Sequence, residues 1–478
     1  MTVPQLRHDG AMSELWQMGA LELAGLIRQG DVSSREVVDA HLVRVDKVNG
    51  HLNAIVRLLA DEALAAADAA DRAVSDGRDL GPLHGVPCTV KENIDVAGTP
   101  TTQGVPALAD AVAAVDAPTV ARMRAAGAIP FARTNLPDLG LRIHTHSSLH
   151  GLTRNPWNPH VTAGGSSGGE AAALASGMTP IGLGNDIGGS LRNPAHCCGI
   201  ASIKPSVGVV PMATVIPPED AMLAQQQMVV EGPMARNIAD VRAGLGIIAG
   251  PDVRDPRSLP VHLTDAEPGE RLRIAVLSEP PGGTTDPGIA SIVRHVADIL
   301  SDAGHDVVDA VPPDYEHVLQ LWAMALIVDL RVQRPLLDTV IGNDGRAVLD
   351  NFDLVVPALG ADEILGIQVQ RFRAMRMWSA FFADFPILLS PTWAQPAFEH
   401  GKDVGDSATD AMLDTLRPVL PPNILGLPAA VVPGGVVDGL PVGIQVIGDR
   451  YTDLRCLTIA AEIEAEVGQF TPIDHVTS

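Results

Sequence analysis

Two serines wrapped in glycine constrain this chain more than any other feature. The stretch T-A-G-G-S-S-G-G-E at 162–170 carries Ser166 and Ser167, and G-N-D-I-G-G-S-L-R at 184–192 carries Ser190. Glycines beside a serine permit backbone conformations and close approaches that a side chain forbids. A serine hydroxyl attacks a carbonyl only with a base to take its proton, and with donors aimed at the oxyanion that develops. In D-I-G-G-S the backbone N–H groups of Ile187, Gly188, Gly189 and Ser190 can line one concavity. Taken alone, the segment is equally compatible with an ordinary glycine turn after a strand.

The base is the next question. His144, His146, His150 and His160 lie in one loop, but no G-x-S-x-G elbow surrounds Ser190 and H-T-H-S-S-L-H lacks a metal-ligand spacing. Structural or surface roles are expected for these histidines. Lys91, in V-K-E-N at 90–93, stands near the end of a short β-rich run. A lysine is a base only when neutral, which takes burial or neighbouring positive charge. The other reading, a surface lysine paired with a carboxylate, stays open at this point. Ser167 with Glu170 has capping-box spacing, which leaves Ser166 over, with a hydroxyl able to bridge Lys91 and Ser190. A phosphate-binding loop is the rival reading of the glycines, but the G-K-[ST] ending is missing.

Hydrophobic periodicity places these residues on an α/β framework. Helices are expected at 31–49, with a Ser33–Glu36 capping box, at 61–76, at 118–127, from 170, at 237–250 with Asn237 as cap, at 287–303 and near 453–466. Strands are expected at 85–94, 129–135, 178–184, 271–277, 305–311 and 387–392, and 427–435 pairs with 440–448 as a late hairpin. Residues 315–385 read as mostly helical. The long loop at 135–170 predicts function. A net charge of −24 over 478 residues argues against nucleic acid and against anionic membrane surfaces. The four cysteines, Cys88, Cys197, Cys198 and Cys456, show no C-x-x-C spacing and read as reduced. The N-terminus has no apolar signal core and no run of 18 apolar residues occurs, so a cytoplasmic protein is expected.

The motifs V-K-E-N (90–93), N-P-W-N-P (155–159), G-G-S-S-G-G-E (164–170), N-D-I-G-G-S-L-R-N-P (185–194), K-P-S-V-G-V-V-P (204–211), G-P-M-A-R (232–236) and G-L-P-V-G-I-Q-V-I-G (439–448) resemble the amidase signature family. The resemblance is dense from about 80 to 250 and thin from 280 to 420. It implies a single α/β/α sandwich domain over 1–478 with a large mixed sheet. Within it lie an N-terminal helical layer (1–80), a signature core (81–250), a variable substrate-cap region (280–420) and a C-terminal sheet and helix (421–478). It implies a Ser–cisSer–Lys triad, with Ser190 as nucleophile, Ser166 in a cis peptide as bridge and Lys91 as base. The oxyanion hole maps onto Ile187, Gly188, Gly189 and Ser190, and Ser167 supports Lys91. No cofactor and no metal are implied.

The expected activity is hydrolysis of small aryl or alkyl amides, with carbamates (urethanes) and esters presenting the same carbonyl. Alternatives are the glutaminase subunit of a tRNA-dependent amidotransferase and, from another class, a nucleotide-binding module using the glycine loop. Substrate choice is expected in the 130–160 loop and in 310–420, where Trp322, Phe372, Met375, Met377, Trp378, Phe381 and Trp393 read mainly as core. The sequence carries no sign of oligomeric state.

Overall fold

Alternation along the strands decides how the layers form. The computed structural model describes residues 15–267, 269–405 and 408–471; the N-terminal ten residues read above lie outside them. The strands are β1 (Ile55–Leu58), β2 (Pro87–Lys91), β3 (Ile129–Thr134), the short β4 (His146–Ser147) and β5 (Gly151–Leu152), β6 (Ile181–Asp186), β7 (Ala201–Lys204), β8 (Val230–Ala235), β9 (Arg273–Val276), β10 (Asp306–Asp309), β11 (Ile387–Pro391), β12 (Ala429–Val437) and β13 (Leu440–Ile447). Among the described residues, eleven of them form one mixed sheet in the order β1-β3-β2-β6-β8-β7-β12-β13-β11-β9-β10, and β4 pairs with β5 alone.

Successive side chains point to opposite faces of a strand, and here both faces are apolar. Cys88, Val90, Leu183, Ala430 and Val432 join one buried cluster, whereas Phe131, Ala429, Val431 and Leu388 join another across the sheet. A sheet buried on both faces needs helices on both sides. Thr89 and Lys91 alternate with Cys88 and Val90, so they face the second cluster, where helices Ser34–Leu52, Gly168–Ala175 and Arg192–Cys198 pack. The run β3-β2-β6 is parallel, so β2 and β6 end on the same side. Open parallel sheets place their sites at those carboxyl ends, and Lys91 and Asp186 are the last residues of their strands.

Local signals set most boundaries. Ser33 accepts from the Glu36 N–H while the Glu36 carboxylate accepts from Ser33. Asn237 accepts from the Asp240 N–H to cap Ile238–Ile248. Asp438 and Gly439 both adopt positive φ between β12 and β13, the two-residue turn that matches strand twist. Residues 315–384 hold three helices, Tyr315–Val340, Asn343–Val355 and Ala361–Asp384. Of the aromatics expected as core in 310–420, Trp322, Trp378 and Trp393 are buried, but Phe372 is exposed.

One cap differs from expectation. Ser167 stands at the N-cap of Gly168–Ala175 without a side-chain capping bond. Glu170 has turned into the sheet instead, taking the Thr89 and Thr134 hydroxyls. The capping-box spacing is present, but two buried hydroxyls hold the carboxyl more strongly than a helix end does. Strands β1, β7 and β8 and helices Ala20–Gln29, Arg192–Cys198, Leu223–Met228, Ala408–Leu416 and Leu420–Leu425 escape the sequence reading, being short or, like V-E-G-P-M-A in β8, broken by Gly and Pro.

Candidate active site

Lys91 closes β2 with its side chain fully buried. Its Nζ lies 2.7 Å from Ser166 Oγ and 2.7 Å from Asn185 Oδ1. Burial pushes the amine down to about 7, against the pull of Asp186, Glu170 and Glu231. An amine half-deprotonated near neutrality is a usable general base.

Ser166 follows a cis peptide from Gly165. A Cβ on Gly165 would sit within 2.7 Å of the Arg142 oxygen, the Ile143 carbonyl carbon and the His144 nitrogen. Glycine is therefore required where the two backbones touch. Gly164 and Gly169 likewise abut backbone, of Pro194 and Asn135, and Gly168 abuts the Thr145 side chain. Ser167 Oγ donates to the Asn185 carbonyl at 3.5 Å. The second side chain bonded to the Lys91 amine, beside Ser166, is that of Asn185, a residue the sequence reading passed over.

Ser190 lies in the turn between β6 and helix Arg192–Cys198 and is nearly buried. Asp186 organises this turn. Its carboxylate accepts from the Gly189 N–H at 2.7 Å, the Leu191 N–H at 3.1 Å, Arg192 at 3.0 and 3.1 Å, and Asn423 at 2.8 Å. Burial opposes the ionised form, but Arg192 overrides it and holds the carboxyl at about 2. Of the four N–H groups expected to line an oxyanion hole, that of Gly189 donates to Asp186. Among the described residues no hydrogen bond joins Ser190 to Ser166. What ties their turns together is Asn193, whose Nδ2 donates to the Gly188 oxygen at 3.0 Å and the Gly165 oxygen at 3.3 Å. Trp393 Nε1 fixes Asn193 from behind, at 2.7 Å.

Helix Tyr315–Val340 reaches this turn through Trp322. Its Nε1 donates to the Ile187 oxygen at 2.9 Å, and its ring lies 2.8 Å from where a Cβ on Gly188 would stand. Trp322, Leu141, Ile143, Val348, Phe352 and Leu416 line a largely apolar pocket at the edge of the site. The charged side chains in its wall, Arg142 and Asp403, pair bidentately at 2.8 Å, and Arg142 also reaches Asp344 at 2.6 Å.

The four histidines go elsewhere. His144 is buried on Thr162, with burial and then Arg142 pushing it down to about 2. His146 lies 3.2 Å from Asp344 and His150 lies 2.6 Å from Glu92; His160 is exposed. Among the described residues no group of three or more His, Cys, Asp or Glu is placed to hold a metal ion, and no helix is long and apolar enough to cross a membrane. All four cysteines are free and buried.

A profile of the Amidase family matches residues 36–457. The indoleacetamide hydrolase of Bradyrhizobium diazoefficiens is 38% identical, over 95% of this chain and 87% of that protein. A glutamyl-tRNA(Gln) amidotransferase chain of Salinispora arenicola is 32% identical, over 96% of this chain and 99% of that one. Among solved structures, a bacterial aryl acylamidase of the amidase signature family superposes with a TM-score of 0.82 at 28% identity, covering 94% of this chain and 96% of that one.

Proposed function

Since the chain belongs to the amidase signature family and is an amide hydrolase, we propose that it works through a Ser190 acyl-enzyme on small uncharged aryl or alkyl amides. The observation that carries this reading is the Lys91 amine, fully buried, lowered to about 7 and 2.7 Å from Ser166 Oγ. Neutral Lys91 draws a proton through Ser166 from Ser190, whose oxygen attacks the amide carbonyl. The N–H groups of Ile187, Gly188 and Ser190 receive the oxyanion; one such donor is worth about 3 kcal/mol of transition-state stabilisation. The proton returns to the leaving nitrogen, the C–N bond breaks, and water hydrolyses the acyl-enzyme by the reverse route.

The pocket lining supports this substrate class. Its wall is apolar, and its one guanidinium, Arg142, is already neutralised by Asp403 and Asp344. A free α-carboxylate would find no unpaired cation among these lining residues, which favours an uncharged amide over glutamine. The names indoleacetamide hydrolase and aryl acylamidase, carried by similar proteins, point the same way. Carbamates and esters offer the same carbonyl and are expected as slower or accidental substrates. Glutaminase action within a tRNA-dependent amidotransferase remains the second reading, favoured by the similarity to the Salinispora arenicola amidotransferase chain.

The test is single-turnover hydrolysis of an arylacetamide, a nitroanilide, an aryl carbamate and glutamine, with intact-mass detection of the acyl adduct. The reading expects amine or ammonia release from the aryl amides and an adduct absent from Ser190→Ala. Hydrolysis of glutamine alone, or undiminished turnover by Ser190→Ala, would overturn it.

A further inference from the structure

Glu170 is a buried carboxyl that the proposed mechanism does not use. It belongs to the first turn of helix Gly168–Ala175, immediately after Ser166 and Ser167, yet its side chain lies on the sheet. The Thr134 hydroxyl of β3 donates to Oε2 at 2.8 Å, and the Thr89 hydroxyl of β2 donates to Oε1. On β6 a Cβ at Gly182 would stand 1.8 Å from Oε1, so the absence of a side chain there makes the carboxyl's seat. Three adjacent strands thus hold one carboxyl. Thr89 and Lys91 are two residues apart on β2 and share a face, which sets the carboxyl beside the amine.

We propose that Glu170 is a positioning residue for Lys91: seated on Thr89, Thr134 and Gly182, it fixes the end of β2 against the Ser166 turn and sets the electrostatic field in which the amine gains and loses its proton. The proposal rests on the reading of Lys91 as base. Lys91 is faced by Glu170 from the helix, by Asp186 from β6 and by Glu231 from β8, and Arg133 of β3 donates to its carbonyl oxygen. Its chain neighbour Glu92 takes His150 and the Thr102 hydroxyl. Burial pushes the Glu170 carboxyl up to about 7, opposed by the two threonine hydroxyls and by Lys91. Both groups therefore exchange protons near neutrality. A protonated Glu170 leaves the amine with one negative neighbour fewer and favours its free-base form; an ionised Glu170 favours the ammonium.

The chain makes this testable without turnover, because it has only four lysines, Lys47, Lys91, Lys204 and Lys402. Selective [ε-13C]lysine labelling gives four signals, with Lys91→Met assigning the one of interest. In Glu170→Gln, which keeps the shape but cannot ionise, the Lys91 titration midpoint is expected to fall by about one pH unit, the size of effect a close charge produces. The acid limb of kcat/KM should move with it while KM stays put. Thr89→Val removes one hydroxyl that favours the ionised carboxyl, and the midpoint is expected to fall less, in the same direction; this variant decides the matter if Glu170→Gln does not fold. A Lys91 midpoint unchanged in the folded variant overturns the proposal, whether or not amides are hydrolysed. Absence of amide hydrolysis by the intact protein would instead count against the function proposed above and leave the lysine titration to judge Glu170.

Discussion

At the scale of the residue, Lys91 is governed by two opposed effects. Loss of water destabilises the ammonium, while three carboxylates favour it, and burial wins by enough to bring the amine to about 7. In the proposed mechanism the free base is the working form, so kcat/KM is expected to rise as pH passes upward through about 7, which a pH–rate profile on a nitroanilide will show. Lys91→Arg keeps the charge but not the base, since a guanidinium does not deprotonate; kcat should drop on the order of 10^3-fold or more with KM little changed. Had Lys91 been a surface lysine, neither effect would follow. The sequence placed it correctly at the end of an apolar strand. It did not supply Asn185 as its partner, because that contact exists only once β2 and β6 lie side by side.

At the scale of the element, the turn from Asp186 to Arg192 is held by one carboxylate. Asp186 collects two backbone N–H groups of the turn and the Arg192 guanidinium, and Asn193 ties the turn to the Ser166 loop. Asn193→Ala deletes both ties, so kcat is expected to fall about 10- to 100-fold, at a stability cost of about 1–3 kcal/mol for each of the three buried groups left unpaired, the Gly165 and Gly188 oxygens and the Trp393 N–H; steady-state kinetics and thermal melts on one sample check both. Gly188→Ala drives a methyl group into the Trp322 ring. Overpacking of this kind costs about 1–3 kcal/mol; in a Trp322→Ala background, where the ring is gone, the same Gly188→Ala substitution should lower Tm by much less. Elements with a local cause were legible: the Ser33–Glu36 and Asn237 caps and the Asp438–Gly439 hairpin each depend on residues within a few positions. Ser167–Glu170 had the same local form and misled, because Thr89 and Thr134, distant in sequence, claim the carboxyl.

At the scale of the whole molecule, the sheet buries charge in quantity, and stability must respond to pH. Glu231 on β8 is buried on Thr119, and burial pushes it up to about 8. A carboxyl raised above its unfolded value near 4.5 binds a proton more tightly in the folded state. Its contribution is therefore complete below about 4.5 and is lost as pH rises through about 8. Glu231→Gln, which never ionises, should gain Tm relative to the parent steadily between those limits; a difference in Tm that stays constant with pH would refute this. The amino-acid sequence by itself determined that the chain forms alternating helices and strands with both strand faces apolar. It also singled out two glycine-flanked serines and a strand-end lysine as the candidate chemical groups, since periodicity, caps and turn residues act over a few positions. Tertiary structure alone decided that β2 and β6 are neighbours, that Gly189 answers to Asp186, that Glu170 leaves its helix for the sheet and that Trp322 closes on Gly188. Each of those outcomes is a competition for a buried hydrogen bond or a packing space between segments far apart in the chain, and no local pattern records who wins it.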